Sequence, residues 1–214
     1  YDNSETSIVS PIHKDSSCNS FVIAYTGSIH IKSRNPEKFV MALRRVDVAA
    51  QSCEVDVCLK FIYAGKDSEL IRYYFRKHHL LHILEDRKFV SREESLKIQG
   101  EADLLLLLTY TGVYKESFGS IITGKIYEYL LSPAPILVIG QDNWELGALI
   151  STKDGSGLIN NNEESIYNFL LQTIRSKGRQ REENDEFRDA IKMYSYENIS
   201  NRLVDFIGSS KERS

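Results

Sequence analysis

Residues 21–27, Phe21-Val-Ile-Ala-Tyr-Thr-Gly27, decide the fold class. Six residues with no polar alternation, closed by a glycine, describe a strand buried on both faces. Such strands belong to parallel sheets covered by helices on each side. A helix start follows at Asn35-Pro36-Glu37. Asn35 can cap, Pro36 loses no hydrogen bond at the first helical position, and Glu37 suits the positive end of the helix dipole. Phe39, Leu43 and Val46 then recur at helical spacing. The same strand-then-helix unit repeats down the chain. Further strands are expected at 57–63, 88–90, 103–108, 135–139 and 157–159. Helices are expected from 67, from 91, and over 123–131, 144–150 and 163–174. The helix from Ser91 carries capping-box spacing, with Glu94 three residues on. The expected fold is a three-layer, Rossmann-like α/β domain. Its sheet is doubly wound and parallel in the order 3-2-1-4-5-6, since right-handed crossovers leave few other arrangements.

Outward from this unit, residues 1–20 are rich in Asn, Ser and Asp and lack an apolar period, so they read as a linker or arm. The domain proper is expected over 21–178. A charge block at 175–189 leads into 179–214, where Phe187, Ile191, Tyr194, Ile199, Leu203 and Phe206 suggest terminal helices.

Composition bounds what such a domain can do. The 214 residues are 42% hydrophobic and 27% charged, and 27 basic against 30 acidic residues leave a net charge of −3. That excludes disordered, collagen-like and disulfide-dense classes and speaks against a nucleic-acid binder. The longest apolar run, 104–108, is far below the ~20 residues that span a bilayer. The opening residues lack the pattern of a secretory signal, so a cytoplasmic location is expected. Cys18, Cys53 and Cys58 show no Cys-x-x-Cys spacing and are expected to be free thiols. His78, His79 and His82 lack a matching Asp/Glu/Cys set, so a solvated helix face is expected there rather than a metal site.

In a doubly wound sheet, ligands bind beyond the C-terminal ends of the strands, where the strand order reverses. The loop after the first strand holds Gly27, Ser28, Lys32 and Arg34. Gly27 lets a backbone approach a ligand closely, and the two cations stand beside a helix start. The loop has neither Gly-x-Gly-x-x-Gly nor Gly-x-x-x-x-Gly-Lys-Ser/Thr, which disfavours a nicotinamide dinucleotide site and a P-loop. The stronger segment is Gly119-Ser120-Ile-Ile-Thr123-Gly124-Lys125-Ile-Tyr-Glu128. Thr123-Gly124-Lys125 offers free amides, a small backbone and an ammonium, the groups a pyrophosphate needs. Glu128, one turn beyond Gly124, suits a ribose diol as a two-oxygen acceptor. The plain alternative is a surface Lys125–Glu128 pair worth ~0.2–0.5 kcal/mol.

A set of short motifs gives these loops a context: Tyr25-Thr-Gly-Ser28, Arg34-Asn-Pro-Glu37, Tyr63-Ala-Gly65, Phe89-Val-Ser-Arg-Glu-Glu-Ser95, Ala102-Asp-Leu-Leu-Leu106, Thr123-Gly-Lys-Ile-Tyr-Glu-Tyr-Leu130, Pro135-Ile-Leu137 and Trp144-Glu145. In this order the chain resembles the C-terminal, nucleotide-sugar-binding half of a GT-B glycosyltransferase. The resemblance is to the group-1, family-four-like enzymes that build bacterial surface polysaccharides. It implies that Gly27 and Ser28 face the donor diphosphate and that Arg34, with Lys32, is the basic residue of that loop. It further implies that Val90 and its neighbours read the base, that Thr123, Gly124 and Lys125 hold phosphate, and that Glu128 binds ribose. Many relatives carry a second glutamate eight positions before that one, where this chain has Ser120, with Glu116 nearby but out of register. The sugar contact and the stereochemical outcome are therefore left open.

The chemistry implied is departure of a nucleoside diphosphate, with charge building on the β-phosphate. Arg34 and Lys125 are the expected catalytic pair, helped by Lys32. No Asp-x-Asp cluster is present, and neither metal nor cofactor is expected. The expected substrate is a UDP-, GDP- or ADP-sugar, from which a hexosyl group passes to a polysaccharide or lipid-linked acceptor. That acceptor would be held by an N-terminal domain missing from this chain, which opens at Tyr1. The fragment alone is expected to bind donor weakly and to transfer nothing. The full enzyme is expected to have peripheral association with the inner face of a membrane and no nucleic-acid partner. Two rivals stand beside this reading: an epimerase of the UDP-sugar 2-epimerase type, and a non-catalytic nucleotide-binding or assembly module.

Overall fold

The computed structural model describes residues 19–29, 31–111, 124–141 and 144–177. The expectations for Cys18 and the rest of the arm at 1–18, for Ser120 and Thr123, and for terminal helices at 179–214 lie outside them.

Six strands form one parallel sheet: β1 (Ser20–Thr26), β2 (Cys58–Ala64), β3 (Leu84–Asp86), β4 (Leu104–Leu108), β5 (Ile136–Ile139) and β6 (Gly157–Ile159). Their order is β3-β2-β1-β4-β5-β6, so the reversal falls between β1 and β4. The helices are α1 (Glu37–Gln51), α2 (Ser68–Lys77), α3 (Arg92–Glu101), α4 (Lys125–Leu130), α5 (Trp144–Ser151) and α6 (Glu163–Ser176).

The strand period of two divides the apolar residues between two cores. Phe21, Ile23 and Tyr25 of β1, with Leu104, Leu106 and Leu108 of β4, pack in the core that also contains residues of α1, α2 and α6. Ala24, Leu105 and Leu107 face the opposite core, with Ile98 of α3, Ile126, Tyr129 and Leu130 of α4, and Leu146 and Ile150 of α5. All five β4 residues are buried. This is why β4 carries no polar alternation.

Helix starts follow local chemistry. Asn35 Oδ1 accepts the Glu37 N–H at 2.9 Å, and Ser91 Oγ accepts the Glu94 N–H at 3.2 Å. Two sequence expectations are corrected. The third strand is 84–86, not 88–90. It is an edge strand fixed by parallel pairing of Leu84, Glu85 and Asp86 with Phe61, Ile62 and Tyr63. Its charged residues are satisfied sideways, Glu85 by Lys60 and Arg87. The apolar Phe89 is 73% exposed instead. The second correction concerns sulfur. Cys53 is a free, exposed thiol, whereas Cys58 is disulfide-bonded. A bond of that kind depends on tertiary proximity and leaves no mark in local spacing.

Asp86 illustrates how β3 is held. Burial pushes its carboxyl up, but hydrogen bonds from Arg72, the Lys88 N–H and Ser68 outweigh it and leave it below its ordinary value. The Arg72 Nε contact is 2.7 Å. A carboxyl more acidic in the folded chain contributes fully above its unfolded value near 3.9 and loses that contribution as pH falls below it. Asp86→Asn is therefore expected to destabilise the fold by about 1–3 kcal/mol at pH 7. In urea titrations the gap from the unaltered chain should narrow steadily below about pH 4.

Candidate functional site

The site forms where β1 ends. Gly27 follows Thr26 with φ of 150°, a conformation that L side chains rarely adopt. Its N–H donates to the Ala64 carbonyl at 2.8 Å, so the chain leaves β1 against the end of β2. The Tyr63 hydroxyl donates to the Gly27 carbonyl at 3.1 Å and accepts the Asp67 N–H at 3.0 Å. The Tyr25 hydroxyl donates to the Ser28 carbonyl at 2.8 Å. The Asp67 carboxylate accepts the Ile29 N–H at 2.7 Å. Asp67 stands at the cap position of α2 but makes no capping bond there; its side chain holds the loop after β1 instead.

Lys125, on α4, reaches the same place from the other side of the reversal. A Cβ built on Gly27 would stand 3.9 Å from Lys125 Cε. Lys125 Nζ donates to Glu128 Oε2 at 2.8 Å, with both side chains between a fifth and a third exposed. The plain i,i+3 pair thus forms, and it forms beside Gly27. Gly124 is the residue before α4, and a Cβ added there would meet no atom of the described residues within 4 Å.

Lys32 is exposed and Arg34 half-buried, and the positive charge of Arg34 acts on the Tyr25 hydroxyl. Their loop is sewn to the end of β4: the Thr111 N–H donates to the Ser33 carbonyl at 2.7 Å, and Thr111 Oγ1 accepts the Asn35 N–H at 2.9 Å. Val90 is half-buried and packs on the core of α3, α4 and α5. Its neighbour Lys88 accepts the Gly65 N–H through its carbonyl at 2.8 Å. Gly27, Ser28 and Lys125 therefore converge at the end of β1, while Arg34 and Val90 stand on loops whose backbones are tied to Thr111 and Gly65.

Below the site lies a buried polar chain that was not expected from sequence. Tyr129, fully buried on α4, accepts the Thr26 N–H at 2.9 Å. Thr26 Oγ1 lies 3.3 Å from the Tyr129 hydroxyl and accepts Gln99 Nε2 of α3 at 2.9 Å. This ties α3 and α4 to the residue preceding Gly27. Burial pushes the Tyr129 hydroxyl up to about 12, so it remains a neutral hydroxyl through the physiological range. Tyr129→Phe would leave a buried Thr26 N–H without an acceptor. Urea unfolding should show a loss of about 1–3 kcal/mol. In the unaltered chain, a phenol that is less acidic when folded makes its full contribution below about pH 10 and loses it as pH rises above that. The difference between the two chains should therefore shrink at alkaline pH.

Elsewhere, His82 Nε2 lies 3.0 Å from Asp47 Oδ1, and Asp47 also accepts from Arg44 and Gln51. Among the described residues, no three His, Cys, Asp or Glu side chains gather to hold a metal ion. No helix among them is long and apolar enough to cross a membrane. A groove of about 330 Å³ lies along α6, lined by Asn168, Leu171, Gln172, Arg175 and Ser176. It is far from the Gly27 loop: Lys177, next to Ser176, bonds to Ser20 at the opposite end of β1.

A parallel sheet in this order, covered by helices, is a Rossmann-like α/β fold, the architecture of one half of the GT-B fold. Solved structures bear this out at the level of the fold. A sucrose-phosphate synthase from Thermosynechococcus elongatus matches with a TM-score of 0.66 and 11% identity, over 91% of this chain and 46% of that one. A putative UDP-N-acetylglucosamine 2-epimerase from Listeria monocytogenes matches at 0.53 and 16%, over 92% and 46%. The pneumococcal O-GlcNAc transferase GtfA, in complex with UDP and GlcNAc, matches at 0.51 and 14%, over 90% and 35%. The chain thus spans about half the length of these proteins or less. No protein-family model matches the sequence, and no curated protein does.

Proposed function

We propose that this chain is the donor-binding half of a glycosyltransferase and holds a nucleoside-diphospho-sugar at the ends of β1 and β4. The observation that carries this reading is the meeting of Gly27 and Lys125, an approachable backbone and an ammonium from separate crossovers. Arg34 and Lys32 enter from the loop tied to β4. A diphosphate seated against Gly27 and Ser28 would lie within reach of Lys125, and Glu128 would exchange its lysine partner for ribose hydroxyls. As the glycosidic bond breaks, negative charge grows on the β-phosphate oxygens. Lys125 and Arg34 act there, stabilising the transition state more than the bound donor. Ser120 and Thr123 stand in this proposal as the sugar-side and phosphate-side residues before α4. The acceptor belongs to a second domain of the whole enzyme.

The epimerase among the fold neighbours keeps a second reading in play, because it would use the same diphosphate cradle. A thermal-shift panel of UDP, GDP, ADP, their sugars and the matching nucleosides tests the shared part. A ligand at one hundred times its dissociation constant adds ~2.7 kcal/mol to stability. The expected result is an upward shift with one base, larger than that of its nucleoside. No shift with any of them overturns the reading.

A further inference from the structure

The loop after β1 has a division of labour among its backbone groups that the cations do not explain. An anion site needs N–H groups pointing at the ligand and carbonyl oxygens pointing away, because a lone pair facing a phosphate repels it. The two carbonyls at risk belong to Gly27 and Ser28. Both are taken by tyrosine hydroxyls: Tyr63 on Gly27 at 3.1 Å and Tyr25 on Ser28 at 2.8 Å. Those tyrosines are 0% and 3% exposed, so the carbonyls are turned into the protein. The Gly27 and Ile29 N–H groups are occupied by the Ala64 carbonyl and the Asp67 carboxylate. Among the described residues, the Ser28 N–H has no acceptor. The two tyrosines pair in register across β1 and β2, with rings 6.0 Å apart and 11° from parallel.

We propose that Tyr25 and Tyr63 are positioning residues that turn the Gly27 and Ser28 carbonyls inward and leave the Ser28 N–H to bind a phosphate oxygen of the nucleoside diphosphate. The inference rests on the donor-site reading above and names the group through which β1 serves it. Burial raises the Tyr25 hydroxyl above its ordinary value and pushes that of Tyr63 up to about 12. Both remain donors at neutral pH. The ligand chemistry is specific: a diphosphate gains from this amide, and a nucleoside without phosphate does not.

Calorimetric titration of the full chain with UDP, GDP and ADP, and with uridine, guanosine and adenosine, tests this. Tyr25→Phe keeps the stacked ring and removes one hydroxyl. It is expected to weaken the nucleoside diphosphate about tenfold and to leave the matching nucleoside within about twofold. Ser28→Pro removes the amide itself and is expected to do the same, which keeps the test available if Tyr25→Phe does not fold. Diphosphate affinity unchanged in the folded variant overturns the proposal. So does a proportional loss of diphosphate and nucleoside, the mark of a merely structural role. If Lys125→Ala weakens the diphosphate but Tyr25→Phe does not, the positioning role alone fails. If the unaltered chain binds none of the six compounds, the donor-site reading fails and takes this inference with it.

Discussion

Gly65→Ala is expected to destabilise the fold by about 1–3 kcal/mol, toward the upper end of what overpacking costs. The added methyl would stand 2.1 Å from the Gly27 carbonyl oxygen and 2.4 Å from the Tyr63 hydroxyl. The carbonyl is backbone and the tyrosine is fully buried, so no flexible side-chain tip can swing clear. The β1 and β2 loops would have to separate, breaking the Tyr63–Gly27 bond. The same strain should reach the proposed donor site, so nucleoside diphosphate binding is expected to fall along with the urea midpoint. Gly100→Ala is the control. It lies in α3 with nothing within 4 Å of its added methyl, and it should be neutral or stabilising by up to ~1 kcal/mol through helix propensity. Equal effects at the two glycines would refute the steric account.

Lys125→Ala should reduce nucleoside diphosphate affinity by about 10–100-fold, the loss expected for a charge-assisted phosphate contact in a partly buried site. Its effect on stability should stay within about 0.5 kcal/mol, because the pair it makes with Glu128 is partly exposed. Glu128→Ala separates the two functions of that pair. Removing the carboxylate frees the Lys125 ammonium from its 2.8 Å partner. Inorganic pyrophosphate should then bind as well or better, while a nucleoside diphosphate binds more weakly for want of a ribose acceptor. Isothermal titration with both ligands reads the difference. If both variants bind both ligands as the unaltered chain does, the pair is only a surface contact.

How far the fold was legible follows from burial. The strands 21–26, 103–108 and 135–139 announce themselves because residues on both of their faces are removed from water, and continuous apolar runs are the result. The β3 edge strand, Leu84-Glu85-Asp86, gave no such sign. Its polar residues are satisfied by Lys60, Arg72 and Ser68 from neighbouring elements, contacts that do not exist until the sheet forms. The apolar Phe89-Val90 was the more strand-like pair in one dimension, yet Phe89 lies in the open.

The candidate site divides in the same way. Gly27, Lys125 and Glu128 stood out because glycine and charge at strand and helix ends are local signals. Tyr25, Tyr63, Asp67 and Tyr129 did not. In sequence the tyrosines look like aromatic core residues, and Asp67 looks like an ordinary helix cap. Their hydroxyl and carboxylate partners lie from 3 to 103 residues away.

Apolar period and punctuation by glycine and proline were enough to set the order of elements and, through the handedness of crossovers, to narrow the order of strands to a few. Both depend on neighbours within a few residues and on the chirality of the backbone. Which backbone groups face the crevice, and which hydroxyls turn the others away, came only with the assembled sheet. Hydrogen bonds act over about 3 Å, and only the folded chain brings Tyr63 to Gly27 or Tyr129 to Thr26.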